Sequence, residues 1–350
     1  MVDFRYHLVS LVSVFLALAI GVILGAGPLQ NSIAHGLTGQ VDSLRESRDK
    51  MRVELDQRGA QLDAASTALL GAGEQLNAGT LTNRRVAIVA AAGADGAVVE
   101  KTRQSLSAAG ARITGEITLA PAFTDTEYAT YRSTLSGNLG SYVKDLPAGG
   151  SADAILGAAV DTVVRSAPED AGATTLITLL TSPENKLIDV AVAPSEAAEV
   201  VVFITADPAE AAPAPADKET TSPHIADTYQ AAFAAMAGRG PAVAVGAGTD
   251  GNSVLGAVRS AKAGSTVDSA QTALGDVNIP MAVAAELHER HVHLGVAPGA
   301  DSAIGERQSA SGPAPAQPAP APQPEQAPAP APAPADGGQA PEGGQAPAGQ

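Results

Sequence analysis

Two groups of residues in this chain have the types and spacing to do chemistry. The first is the turn Gly246-Ala-Gly248-Thr-Asp-Gly251, which follows an apolar run and precedes a helical one. Asp268 lies about twenty residues on, the spacing of a dinucleotide-binding turn. Glycines there let backbone amides approach a pyrophosphate at a helix N-terminus. Any strand-to-helix turn in an α/β sheet uses glycine the same way, so no cofactor is assigned on this motif. The second group is His288, His291 and His293, flanked by Glu286 and Glu289. Three imidazoles on the end of a helix could hold Cu²⁺ or Zn²⁺. Histidines at a helix C-terminus also complement its dipole without any metal, and the three stand only as candidate ligands.

Beyond these groups the usual catalytic motifs are missing. There is no GxSxG elbow, no HExxH pair and no P-loop, and no pair of carboxylates stands out by spacing. The chain has no cysteine, which removes thiolate nucleophiles, disulfides and CxxC sites. A net charge of −16 and a pI near 4.7 deny it the basic surface that a phosphate backbone requires, so nucleic acid is excluded as a partner. The expectation is a protein that is not an enzyme.

The elements that would position these residues fall between 84 and 307. Strands are expected at 85–92, 112–119, 186–193, 200–205, 241–246 and 265–268, and helices at 97–110, 125–146, 151–165, 224–238, 253–262 and 277–290. The run VVVFIT at 200–205 is apolar throughout, as a strand buried on both faces must be. Strands alternating with helices argue an α/β domain with a mainly parallel sheet. With no Trp and 3% aromatics, its interior has to be built from Ala, Val, Leu and Ile. Gly93-Ala-Asp-Gly96, after the first strand, reads as a loop. Residues 308–350 carry no positive charge and many PAPAPA-like repeats, the composition of an extended, unfolded tail.

The other end of the chain is apolar. No charged side chain occurs between Arg5 and Asp42, and residues 8–29 read LVSLVSVFLALAIGVILGAGPL. As a helix this stretch spans roughly 33 Å, enough for a hydrocarbon core of about 30 Å. A single-pass cell-membrane anchor is expected, with residues 1–7 cytoplasmic and the bulk in the extracytoplasmic envelope; so few charges flank the span that this orientation rests mainly on the tail. The alternative is a cleaved signal peptide, whose apolar core is shorter, roughly 7–15 residues. Ala17, Gly21 and Gly25 lie four apart on one helical face, the small-xxx-small spacing of closely packed membrane helices.

Residues 40–77 then fall into heptads. Val41, Arg48, Leu55, Leu62, Leu69 and Leu76 take the a positions, and Leu44, Met51, Arg58, Ala65 and Ala72 the d positions. Arg48 and Arg58 weaken the seam. A coiled-coil stalk and a parallel homodimer are expected, joined through Ala17, Gly21, Gly25, Val41, Leu44, Met51, Leu55, Leu62, Leu69 and Leu76. The alternative is one amphipathic helix packed on its own domain.

The opening MVDFRYHLVSLVSVFLALAIGVILGAGPL is very similar to the start of the actinobacterial MctB family, named after mycobacterial copper transport protein B. The order that follows resembles it too: a heptad helix, an α/β domain opening after Asn83-Arg84-Arg85-Val86, and Ser265-Thr-Val-Asp268 leading into a final helix. Where that family ends in a Gly-His-Tyr-Gly-like turn, this chain has His291-Val-His-Leu-Gly295. The resemblance covers about residues 1–300 and leaves the tail outside. It implies copper homeostasis or efflux from the envelope, with copper as the ion bound or moved. A corynebacterial relative, SteB, implies instead a dimeric partner for a membrane protein of the cell-division machinery, acting on septal cell separation.

Overall fold

Alternating apolar runs and amphipathic helices close into one seven-stranded sheet in the computed structural model, which describes residues 4–26, 28–146, 149–206, 223–248 and 253–308. The strands are β1 (Arg85–Ala90), β2 (Arg112–Leu119), β3 (Ile188–Val192), β4 (Val200–Ile204), β5 (Ala242–Val245), β6 (Ser265–Val267) and β7 (His293–Leu294), in the spatial order β3-β2-β1-β4-β5-β6-β7. All neighbours are parallel except β3, which runs antiparallel to β2. Leu119 pairs with Ile188, so the chain re-enters the sheet where it left it and must run back.

Successive strand residues point to opposite faces, and each face has its own cover. Ala87, Val89, Val201, Phe203 and Ala244 pack under α5 (Ala152–Arg165), α6 (Ala171–Leu180), α7 (Pro223–Ala237) and α8 (Val254–Ala261). Val86, Ile88, Val200, Val202 and Val245 pack under α3 (Gly96–Ala108) and α9 (Ala273–Glu286). One carboxylate is fully buried on the first side. Asp161 accepts from Arg165 Nε at 2.6 Å and from Arg239 Nε at 2.8 Å, while Arg165 also donates to the carbonyls of Glu199 and Pro241. These bonds clamp α5 to the edge where β4 and β5 begin.

Four expectations about elements need correction. The helix expected at 125–146 is broken into the 3₁₀ turn Thr126–Tyr128, α4 (Ala129–Asn138) and the 3₁₀ turn Leu139–Ser141, where Gly137, Asn138 and Gly140 favour helix least. The helix α6 was unforeseen; Asp170 caps it, accepting from Ala173 N at 2.8 Å. The last helix stops at Glu286 and not at 290, and Glu289 then turns left-handed at φ 58°. The short β7 is the fourth.

Ahead of the sheet stand α1 (Phe4–Ala26) and α2 (Pro28–Asn77). Phe4–Gly25 is the one described helix long and apolar enough to cross a membrane, with a mean hydropathy of 2.7 and none of its residues buried by the chain itself. The helix α2 takes in the heptad segment and begins earlier than expected, at Pro28. Exposed i, i+3 and i, i+4 pairs (Arg45 with Asp42, Lys50 with Glu46, Arg58 with Glu54) line it; each adds only about 0.3–0.5 kcal/mol.

Candidate functional site

The strand order locates the place to look first. The chain leaves β1 towards β2 on one side and returns to β4 on the other, so the switch point lies between β1 and β4. Open α/β sheets bind ligands in the crevice at the carboxyl ends of such strands. Here the Ala92 amide, just past β1, donates to Tyr229 Oη at 3.0 Å. Tyr229 is 1% exposed, stacked on Phe123 at 6.1 Å between ring centroids and tilted against Phe203 at 5.8 Å. Burial raises the pKa of its phenol, against the hydrogen bonds with Ala92 and Thr124, and keeps it neutral. Asp95, at the next helix start, is occupied in capping α3 through Ala97 N at 2.8 Å. A phosphate would need those amides, and the protein's own side chains hold them.

The glycine turn after β5 sits one strand away from the switch. Gly246 N donates to Val267 O, and Gly248 O accepts from Ser253 Oγ, the cap of α8. Residues 249–252, including Gly251, lie outside those described. The acid paired with this turn by spacing has another task. Asp268, fully buried, accepts from Arg259 Nη2 at 2.9 Å, Ser269 Oγ at 2.7 Å, Val296 N at 2.9 Å and Ala297 N at 3.1 Å. Its carboxylate is saturated and cannot receive a ribose. Burial by itself would raise its pKa, but these hydrogen bonds outweigh it and hold the group below its ordinary value.

Arg259 completes that clasp, reaching Thr266 Oγ1 at 2.7 Å and the carbonyls of Pro298 and Leu294. Sequence reasoning missed it, since a single arginine in an apolar helix gives no signal of its partner 9 residues away. Gly295 lies at φ 133° against the Asp268 carboxylate, and a Cβ there would overlap it.

The three histidines are dispersed by the early end of α9. His291 Nδ1 meets the buried Glu286 Oε1 at 2.8 Å, and Glu286 also accepts from Ser265 N. His293 lies in β7, its Nδ1 3.0 Å from Thr266 Oγ1; burial lowers its pKa and Arg259 and His291 add to that, against the opposing charge of Asp301. His288 follows the helix cap at Leu287. They do not share a helical face, and among the described residues no three of His, Asp or Glu are grouped to hold a metal ion.

The apolar faces of the N-terminal helices are open. Ala17, Gly21 and Gly25 are exposed, with nothing of the chain near either glycine. On α2, Leu44, Leu55 and Leu62 are each 68% exposed and Met51 56%. The side chain of Val41 lies outside those described. The pattern changes at Leu69, which is half-buried against the chain's own core. Gly73 abuts Val277, Asn77 Nδ2 donates to Val277 O at 2.9 Å, and Arg307 Nε caps the helix at Leu76 O at 2.7 Å. The last two turns of α2 are therefore docked on α9, with Leu69 packed against the head while the side chain of Leu76 stays 42% exposed.

Comparison with known proteins bears on all of these elements. The family model described as copper transport outer membrane protein, MctB, matches residues 1–304. The copper transporters MctB of Mycobacterium bovis and Mycobacterium tuberculosis are each 27% identical over 150 residues, or 43% of this chain and 46% of theirs. The chain thus spans about half the length of these relatives. Apolar helix, long helix and sheet all fall within the family match, and the chain belongs to the MctB family.

Proposed function

We propose that this chain is a non-enzymatic, membrane-anchored envelope protein of copper homeostasis, working as a dimer held together by α1 and α2. The observation that carries the reading is the family match over residues 1–304, which takes in anchor, stalk and head together. One apolar helix makes no pore. The sheet is open, with β3 and β7 at its edges, and helices cover both faces of its central strands, so this sheet is not a transmembrane barrel. Copper therefore reaches this chain as cargo handled with a membrane partner, and the head is the part held at a set height to meet that partner.

The test is deletion of the gene, with copper tolerance and cell separation scored in parallel. Loss of copper tolerance, restored by the full chain, is the expected result. The row of exposed apolar residues from Leu44 to Leu62 also favours a second reading, a stalked scaffold for a septal membrane protein. That reading predicts a separation defect with copper tolerance unchanged. Orientation is checked by protease added to intact cells, which should remove the head and leave a short protected N-terminal fragment.

A further inference from the structure

The segment after β7 ties the end of α2 to the head. The chain first doubles back on β7: Gly295 N donates to Ser302 O at 2.9 Å, Asp301 N donates to His293 O at 2.7 Å, and the Asp301 carboxylate accepts from His293 N at 2.7 Å. Residues 303–307 then cross α9. Asn278, fully buried, uses both ends of its amide on this crossing, donating to Ala303 O at 2.8 Å and accepting from Gly305 N at 3.1 Å. Gly305 lies flush on the core, where a Cβ would come 2.7 Å from Leu294 Cδ1 and 2.9 Å from Met281 Cβ. Arg307 finally donates to Leu76 O at 2.7 Å and to Ala78 O at 3.4 Å. The last carbonyls of a helix have no partner within it. Arg307 supplies one from outside, with a charge that suits the C-terminal end of the dipole.

Neighbouring residues of α9 thus seat two different things. Val277 takes Gly73 and Asn77 of α2, and Asn278 takes the segment 303–305. The outer side of that segment faces solvent, with Ser302, Ala303, Ile304, Glu306 and Arg307 all exposed. The ion pair between Arg290 and Glu306 is exposed at both ends and adds little. A segment with few buried apolar contacts opens locally, without unfolding the core. We infer that residues 301–307 are a detachable strap that fastens the end of α2 to the head, and that tension on the chain beyond Arg307 releases it. With the strap in place, α2 and the head move as one body. With it off, the joint rests on the packing of Leu69 and Gly73 and on the Asn77 bond, and the angle between α2 and the head loosens. The Pro- and Ala-rich tail follows directly, so whatever holds that tail pulls on Arg307 first. This inference needs neither copper nor a second chain, and its failure would leave the copper reading untouched.

Both arms of the experiment use the full chain in detergent micelles. Hydrogen exchange is followed in peptides spanning 69–82 and, as a control on the core, in one spanning 200–204. Arg307→Ala should speed exchange at 69–82 about tenfold, as loss of a hydrogen bond from a charged group does. Gly305→Val, which drives a side chain into Leu294 and Met281 and lifts the strap, should do at least as much. Exchange at 200–204 should stay at the parental rate in both. In an optical trap, one handle is fixed to a cysteine placed at the exposed Ser260, in a chain that has none of its own, and the other to Gln350. The parent should show a first step of up to roughly 25 Å, the reach of a short extended segment such as the strap, before the sheet gives way. Gly305→Val should lack that step. The inference is overturned if neither variant changes exchange at 69–82, if 200–204 exchanges faster along with it, or if the sheet unfolds with no earlier step.

Discussion

At the scale of single residues, the clasp between Asp268 and Arg259 holds the segment just after β7 onto the sheet. It joins α8, β6 and the segment after β7 through side chains that are 0% and 7% exposed. Asp268→Asn leaves the guanidinium buried without its counter-charge, and the expected loss is about 3–5 kcal/mol by urea denaturation of the chain in micelles. Gly295→Ala should cost about 1–3 kcal/mol or more, since it forces both a left-handed backbone and an overlap. The pH dependence has a definite sign. A carboxylate whose folded pKa is depressed contributes its full stability above the unfolded value of about 3.9 and loses it as pH falls below that, towards the folded value. Stability measured from pH 5 down to pH 2 should drop in the parent, with the Asp268 part of the drop absent in Asp268→Asn. Asp268 was visible in the sequence, but spacing alone pointed it at a nucleotide. Its real partners come from Arg259 and from backbone amides at 296 and 297, which no periodicity reveals.

At the scale of elements, α2 is two things in one helix. From Leu44 to Leu62 its apolar stripe is exposed; at Leu69, Gly73 and Asn77 it packs against the head. Heptad spacing made the stripe legible over its whole length, because an apolar face looks the same whether it is meant for a twin or for the chain's own core. Only tertiary contacts divide it. Burying a leucine is worth about 1.5–3 kcal/mol, so Leu55→Asp with Leu62→Asp should raise the dimer dissociation constant by at least a hundredfold in sedimentation equilibrium. The Tm of the head should stay within about 2 °C, since neither residue touches it. Gly73→Leu should do the reverse: it drives a side chain into Val277 and frees the stalk from α9, which limited proteolysis near 77–84 would register.

At the scale of the whole molecule, the sheet was legible because its strands are short apolar runs between helices, and six of the seven were placed within a few residues. The two-residue β7 was not, since its pairing comes from β6 and not from its own pattern. The antiparallel turn of β3 likewise follows from where the chain re-enters, which composition does not encode. What these parts add up to is an α/β head preceded by a long helix and one apolar helix long enough to cross a membrane, in a family described by copper transport. The most direct measurement is cell-associated copper in a deletion strain, complemented by the full chain or by the Leu55→Asp, Leu62→Asp variant. The account predicts that the deletion strain accumulates copper, that the full chain restores the parental level and that the stalk variant does not. Copper content unchanged by the deletion would contradict it.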